Sequence, residues 1–191
     1  MMIDFSTLEE LRIRFGGIGG QGAVLLGDVL GHAGALAGLD SACSTIYGSR
    51  ARGGASQSDV ILARRSIDFP HVAHPHILVA MAEEPYELSV EALIEPAVVL
   101  YDEYHIKDRD IAARDRHYPV PATRTVIEEL QASQPANFFM LGALVGMTQA
   151  VETASVEEAI SRHVRKKFVE MNRRAFQLGV SHGHELPREE A

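Results

Sequence analysis

The chain has 191 residues, 46% of them hydrophobic and 23% charged, which is the balance of an ordinary soluble domain with one well-buried core. A net charge of -8 argues against a general nucleic-acid binder, which would carry a basic footprint. One cysteine, Cys43, cannot by itself make an internal disulfide, a zinc site or an iron–sulfur cluster.

The opening residues lack the apolar core of a signal peptide, and no stretch approaches the ~20 apolar residues of a membrane span, so a cytoplasmic protein with no membrane contact is expected. Residues 1–10 read as an N-terminal extension, 11–180 as a single domain and 181–191 as a flexible tail. LRIRF (11–15) alternates as a strand does and runs into the glycine-rich FGGIGGQG (15–22). QGAVLLGDVLGHAGALAG (21–38) carries apolar residues at helical spacing. Gly27, Gly31 and Gly34 each weaken that helix by roughly 1 kcal/mol relative to alanine, and they give it a flat face that can lie close to a sheet. SACSTIY (41–47) and ASQSDVILA (55–63) read as strands joined by the polar turn GSRARGG (48–54). HILVAM (76–81) and AVVLYD (97–102) are continuous apolar runs, as strands buried on both faces require, with a helix over 84–93 between them.

The charged stretch from Asp102 to His117 reads as a surface excursion, and YPVPA (118–122) as a last short strand. Two helices complete the pattern, at 137–151 and 155–179. The first is apolar nearly all round, so it is either central to the domain or turned in part toward a partner. The second opens on a capping box, Ser155 with Glu158, and has Gly179 at its C-terminal cap. Strands alternating with helices predict a three-layer α/β/α domain, Rossmann-like, with a mainly parallel sheet.

Gly17, Gly19 and Gly22 satisfy G-x-G-x-x-G between a strand and a helix. Backbone N–H groups at a helix start favour an anion, and missing Cβ atoms let it come close. A dinucleotide fold also places an acid at the end of the second strand for the ribose hydroxyls. Here that stretch reads SACSTIY, with Asp40 on the wrong side of it, which counts against NAD. Arg50 and Arg52 follow instead, so a 2′- or 3′-phosphate on an adenosine is chemically reasonable. No lysine followed by serine or threonine supplies a nucleoside-triphosphate loop. Glycines that serve only helix–sheet packing, and arginines that serve only a solvated turn or a subunit contact, are the plainer alternatives. His71, His74 and His76 have no carboxylate or thiol close in sequence to complete a metal set, and Pro75 predicts an extended segment with His74 and His76 on one side. The HGHE of 182–185 is no stronger, so no metal site is assigned. Cys43 reads as a small buried hydrophobe, and no catalytic nucleophile is assigned.

With both glycine-rich segments in view, the sequence resembles the gamma subunit of the 2-oxoacid:ferredoxin oxidoreductases. The family's GxGGQG corresponds to Gly17, Gly19, Gly20, Gln21 and Gly22. The likeness continues through YGSRARGGASQSDVILARRSIDFPHV, HPHILVAMAEEPYE and NFFMLGALVG to NRRAFQLG, from about Arg12 to Gly179. It is strongest for the 2-oxoglutarate branch, with the pyruvate branch next. The resemblance implies a complex in which other subunits hold thiamine diphosphate, magnesium and iron–sulfur clusters. There a 2-oxoacid is decarboxylated, electrons leave singly to ferredoxin, and the acyl group passes to coenzyme A. The gamma subunit is then a non-redox partner that helps enclose coenzyme A and braces the catalytic subunits, and the isolated chain is expected to be inactive.

The candidate coenzyme A contacts are Gly17, Gly19, Gly20, Gln21 and Gly22 with Tyr47, Arg50, Arg52, Gly53 and Gly54. Two positions depart from the family. Ser49 and Arg50 stand where proline and an acid are common, and His76 stands where an aspartate usually precedes the strand. An NADP-dependent oxidoreductase and a purely structural assembly subunit are the alternatives, and homodimerisation stays open.

Overall fold

In the computed structural model, which describes residues 8–48, 54–94, 97–107 and 116–186, the alternating run becomes strand β1 (Glu10–Ile18), followed by helix α1 (Ala23–Leu36). Strands β2 (Asp40–Tyr47) and β3 (Ala55–Ala63) form a hairpin whose tip, residues 49–53, lies outside the described residues. Next come β4 (Ile77–Ala80), α2 (Glu83–Val90), β5 (Val98–Asp102) and β6 (His117–Val120). One six-stranded sheet results, in the order β2-β3-β1-β4-β5-β6. β1 runs parallel to β4, as do β4 to β5 and β5 to β6, whereas β3 lies antiparallel to both β1 and β2. The sheet is mainly parallel, as expected, with β3 alone running against it.

The alternation along β1 divides the interior. Leu11, Ile13 and Phe15 join Val60, Leu62, Ile77, Val79 and Leu100 beneath α1 and helix α4 (Ala136–Thr148) in the larger core. On the other face Leu78, Ala80, Val99 and Tyr101 pack with Tyr86 of α2 and with Ile106. Helices on both faces make the three-layer α/β/α arrangement, and each fully buried Phe, Leu or Ile side chain contributes roughly 1.5–3 kcal/mol. Beside this smaller core the second face of β1 and β3 is polar. The Arg14 Nε donates to Asp59 Oδ1 at 2.8 Å and its Nη2 to Asp59 Oδ2 at 3.0 Å. The same Nη2 reaches the Val72 carbonyl at 2.8 Å, which pins the connection between β3 and β4 to the sheet.

Three helices close the chain: α3 (Ala122–Leu130) before α4, then α5 (Thr153–His163) and α6 (Val169–Glu185), with a 3-10 turn at Lys166–Phe168 between the last two. α3 escapes the sequence reading because it is short and holds Thr123, Thr125, Val126 and Ile127, whose branched side chains favour strands. The single helix expected over 155–179 is two, broken where Val164 and Arg165 turn extended. The Ser155–Glu158 box does not cap it. α5 starts at Thr153 with Glu152 as N-cap, so Ser155 is already inside the first turn, and Glu158 pairs with Arg162 instead.

Nor does Gly179 end a helix: α6 continues to Glu185, through residues assigned to the tail. Gly179 is small for another reason. A Cβ there would lie 2.0 Å from the Phe139 carbonyl oxygen, and one at Gly183 2.3 Å from that of Ala143. Reciprocally, a Cβ on Gly142 would meet the Phe176 oxygen at 2.1 Å, and one on Gly146 the Val180 oxygen at 2.3 Å. Two glycines one helical turn apart on each helix therefore let α4 and α6 meet backbone to backbone. α4 is buried at every residue except Ala136 and Met147, which places it at the centre of the domain.

Candidate functional site

The glycine stretch begins inside β1, whose last residues are Gly16, Gly17 and Ile18. The chain then turns through Gly19, Gly20 and Gln21. Gly20 has φ 99° and Gly22, the N-cap of α1, φ 80°, and both values lie in the left-handed region that favours glycine. Space is also limiting at Gly22, where a Cβ would come within 2.5 Å of the Asn137 side-chain nitrogen.

Gln21 locks the turn. Its Oε1 accepts the Ile18 N–H at 2.8 Å, and its Nε2 donates to the Met81 carbonyl, also at 2.8 Å. The loop is thereby tied to the end of β4. A further bond, from the Gly19 N–H to the Gly54 carbonyl at 3.1 Å, ties it to the base of the β2–β3 hairpin.

β1 and β4 are neighbouring parallel strands whose following helices, α1 and α2, cover opposite faces of the sheet. This is the switch point at which open α/β sheets form their ligand crevice. A cleft of about 460 Å³ opens there, walled by Gly19, Gly20 and Gln21 on one side and by Asp102, Thr123 and Asn137 on the other. Asp102, at the C-terminal end of β5, is 2% exposed. Thr123 Oγ1 donates to its Oδ2 at 2.5 Å and the Tyr104 N–H to its Oδ1 at 3.1 Å. Among the described residues lining the cleft there is no Lys or Arg; its polar groups are amides, hydroxyls, the His105 imidazole and the Asp102 carboxylate, set among Ile18, Met81 and Ile127.

Of the sequence candidates, Gly19, Gly20 and Gln21 line the cleft, while Gly17 and Gly22 shape it from behind. Gly54 is joined to the loop by its carbonyl. Tyr47 does not line the cleft. It is 71% exposed and lies opposite Ser56, which is opposite Gly17, so it stands two strands away from the loop, about 10 Å. Arg50, Arg52 and Gly53 lie outside the described residues. Asp102, Thr123 and Asn137 were not singled out from sequence. The available signal was Asp102 itself, an acid closing a fully apolar strand at its C-terminal end.

The histidines do not gather. His76 Nδ1 accepts the Arg12 backbone N–H at 3.0 Å, whereas His74 Nδ1 meets the Ala92 carbonyl at 3.0 Å and His71 is exposed. His74 and His76 thus turn to different partners rather than to one shared side. Burial, and then the Arg12 guanidinium, push the His76 pKa down to about 4. Among the described residues no group of three His, Cys, Asp or Glu could hold a metal ion. Cys43 is exposed on the edge strand rather than buried, yet its thiol turns under α1 and donates to the Gly27 carbonyl at 3.4 Å. Burial of the thiol, and then Asp28, raise its pKa to about 11, the opposite of what a nucleophile needs. No helix among the described residues is long and apolar enough to cross a membrane.

The chain, whose glycine loop sits at the switch point, matches the family model for pyruvate ferredoxin/flavodoxin oxidoreductase over residues 12–182. The chain belongs to that family. Its sequence is 40% identical over 176 residues to the 2-oxoglutarate synthase subunit KorC of Methanocaldococcus jannaschii, a match covering 91% of this chain and 94% of that one. Its structure is similar to the gamma subunit of a keto/oxoacid ferredoxin oxidoreductase from Geobacter sulfurreducens, with TM-score 0.81, 29% identity, and 93% and 98% of the two chains covered. It also superposes with TM-score 0.84 on a 2-oxoglutarate:ferredoxin oxidoreductase chain from Magnetococcus marinus solved with 2-oxoglutarate, coenzyme A and succinyl-CoA. At 22% identity that likeness concerns the fold, and it covers 96% of this chain but 32% of the longer one. The gamma-subunit type inferred from GGQG and RGG is the type to which the chain belongs, with the 2-oxoglutarate branch as its near relatives.

Proposed function

We propose that the chain is the non-redox gamma subunit of a thiamine diphosphate-dependent oxidoreductase that converts a 2-oxoacid, 2-oxoglutarate in the first instance, to its acyl-CoA. In that enzyme it helps enclose coenzyme A and braces the subunits that carry thiamine diphosphate, magnesium and the iron–sulfur clusters. With one cysteine in 191 residues, it has no thiolate set for a cluster of its own. The observation that carries the coenzyme A role is the Gly19–Gly54 bond. It holds the glycine turn against the base of the β2–β3 hairpin, whose connecting sequence contains Arg50 and Arg52.

The cleft itself, with Asp102, Thr123 and Asn137, suits hydroxyl and amide groups better than phosphate. On this reading the phosphates of coenzyme A fall to the arginines. Arg52→Ala in the assembled enzyme is expected to raise the KM for coenzyme A about tenfold, the worth of one charge-assisted hydrogen bond. An unchanged KM removes the ligand role.

NADP binding is the weaker alternative. β3 lies between β1 and β2, so the end of the second strand is displaced about 10 Å from the glycine turn, away from where a ribose acid or its phosphate-binding substitute works. A micromolar Kd for NADPH on the isolated chain would reinstate it. One observation favours a bracing role without ligand contact: the Gln21 side chain is committed at both ends to backbone groups. RGG-segment variants that lose co-purification with the other subunits while keeping normal coenzyme A kinetics select that reading.

A further inference from the structure

Six of the chain's 18 Lys and Arg residues fall within positions 162–174, against the single acid Glu170, in a protein of net charge -8. Two of the six are occupied: Arg162 pairs with Glu158, and Arg173 donates to the Glu157 carbonyl and to Ser161. Arg165 and Lys166 are exposed, and among the described residues their side chains make no hydrogen bond or ion pair. Lys167 lies over the Phe168 ring at 4.6 Å, and Phe168 is itself 40% exposed.

This turn between α5 and α6 is fixed in place, because the side-chain nitrogen of the buried Asn172 donates to the Phe168 carbonyl at 2.9 Å. It overhangs a groove of about 520 Å³ whose floor is Leu25, Phe138, Phe168 and Met171 and whose rim includes Arg165. Gln134 and Asn137 line both this groove and the cleft beside the glycine turn, so the two open on one continuous face.

Arg165, Lys166 and Lys167 are all exposed, which gives a small anion little beyond solvent-screened attraction. An extended segment can use this basic ridge and the apolar floor together. We propose that this groove docks an acidic segment of another subunit of the oxidoreductase, with an apolar side chain seated on Phe168 and carboxylates on Arg165, Lys166 and Lys167. The occupant's charge follows from a strongly basic ridge, formed by described residues, on an acidic protein. Its nature as a protein segment follows from the apolar floor and from the subunit role proposed above, on which this inference rests.

The test uses the complete oxidoreductase assembled from co-expressed subunits. Reversing the ridge with Arg165→Glu, Lys166→Glu and Lys167→Glu together is expected to weaken association of this chain with the other subunits about tenfold, and to flatten the salt dependence of that association. All three side chains are exposed, so the melting curve of the variant chain should match the wild type. A photo-crosslinking amino acid at position 168 should join a segment of another subunit that contains Asp or Glu. Adducts confined to a second copy of this chain, adducts to a basic or neutral segment, or unchanged association of the triple variant each overturn the proposal. So does a raised KM for coenzyme A with intact assembly, which would make the groove a small-anion site. Failure of the wild-type chain to assemble at all overturns the subunit reading itself, whereas wild-type assembly with an indifferent triple variant overturns the docking site alone.

Discussion

His76 is held neutral by its surroundings. Both ring nitrogens face donors, Nδ1 the Arg12 backbone N–H at 3.0 Å and Nε2 the Arg12 guanidinium at 3.3 Å, and the guanidinium charge opposes a second ring proton. Its pKa of about 4 lies below the ordinary 6.5, so between those values the unfolded chain takes up a proton that the folded chain refuses. The stabilisation is therefore complete above pH 6.5 and is lost as the pH falls toward 4. Thermal unfolding followed across that window should show the melting temperature falling with pH. His76→Asn, which keeps an acceptor but has no titratable ring, should give a shallower fall. A slope unchanged by the substitution would remove His76 from the account. Residue-level detail of this kind was hidden from the sequence. HVAHPH shows three imidazoles in a row, but only register decides that one accepts from β1 and another turns to Ala92.

The α4–α6 pair is set by four small residues. Carbonyl oxygens occupy the space of the absent Cβ atoms at Gly142, Gly146, Gly179 and Gly183, and backbone atoms have no rotamer by which to yield. Gly179→Ala should therefore cost ~1–3 kcal/mol by overpacking, despite the better helix propensity of alanine, as a lower midpoint in urea unfolding. Gly20→Ala gives the opposite contrast in space, since nothing lies within 4 Å of its Cβ position, and its cost is backbone strain alone.

GALVG and GVSHG carry the same five-residue spacing and so could have been paired. Each also reads as ordinary punctuation, a weak point in one helix and an end to the other, and nothing in a linear pattern says that two distant helices touch. The strands were more legible. Continuous apolar runs at β4 and β5 and the alternation in β1 follow directly from burial on the two faces of a sheet. What remained hidden was the direction of β3. A polar turn with two arginines fits a hairpin, yet alternation alone does not say whether a strand runs with or against its neighbours.

At the scale of the molecule, the described residues form one large core and one small one, with an ion pair where the second core stops. Arg14 is 7% exposed and Asp59 2%, and their two parallel hydrogen bonds join β1 to β3 while the Val72 bond adds the following connection. Arg14→Met would leave the Asp59 carboxylate buried and without its cation. A loss of ~3–5 kcal/mol is expected in denaturant unfolding, much of it recovered when Asp59→Leu is added. A single variant as stable as wild type would mean that water reaches Asp59.

The family motif was readable because GGQG builds a specific local geometry, a turn locked by Gln21 between two glycines of positive φ. The cleft's other wall was not, since Asp102, Thr123 and Asn137 come from three separate elements that only the sheet order brings together.

Helix α1 crosses the β2–β3 hairpin with Gly27 over Ser58, Gly31 over Cys43 and Gly34 over Leu62, and no helix side chain cushions these three contacts. The Gly19–Gly54 bond links the same hairpin to the turn that precedes the helix. The strand side chains Ser58, Cys43 and Leu62 therefore rest directly on the helix backbone, and a displacement of the hairpin is expected to be felt by the helix and by the glycine turn at its start. Hairpin, helix and turn are thus built as one lever arm, and a contact on the β2–β3 hairpin is expected to bear on where the glycine amides stand.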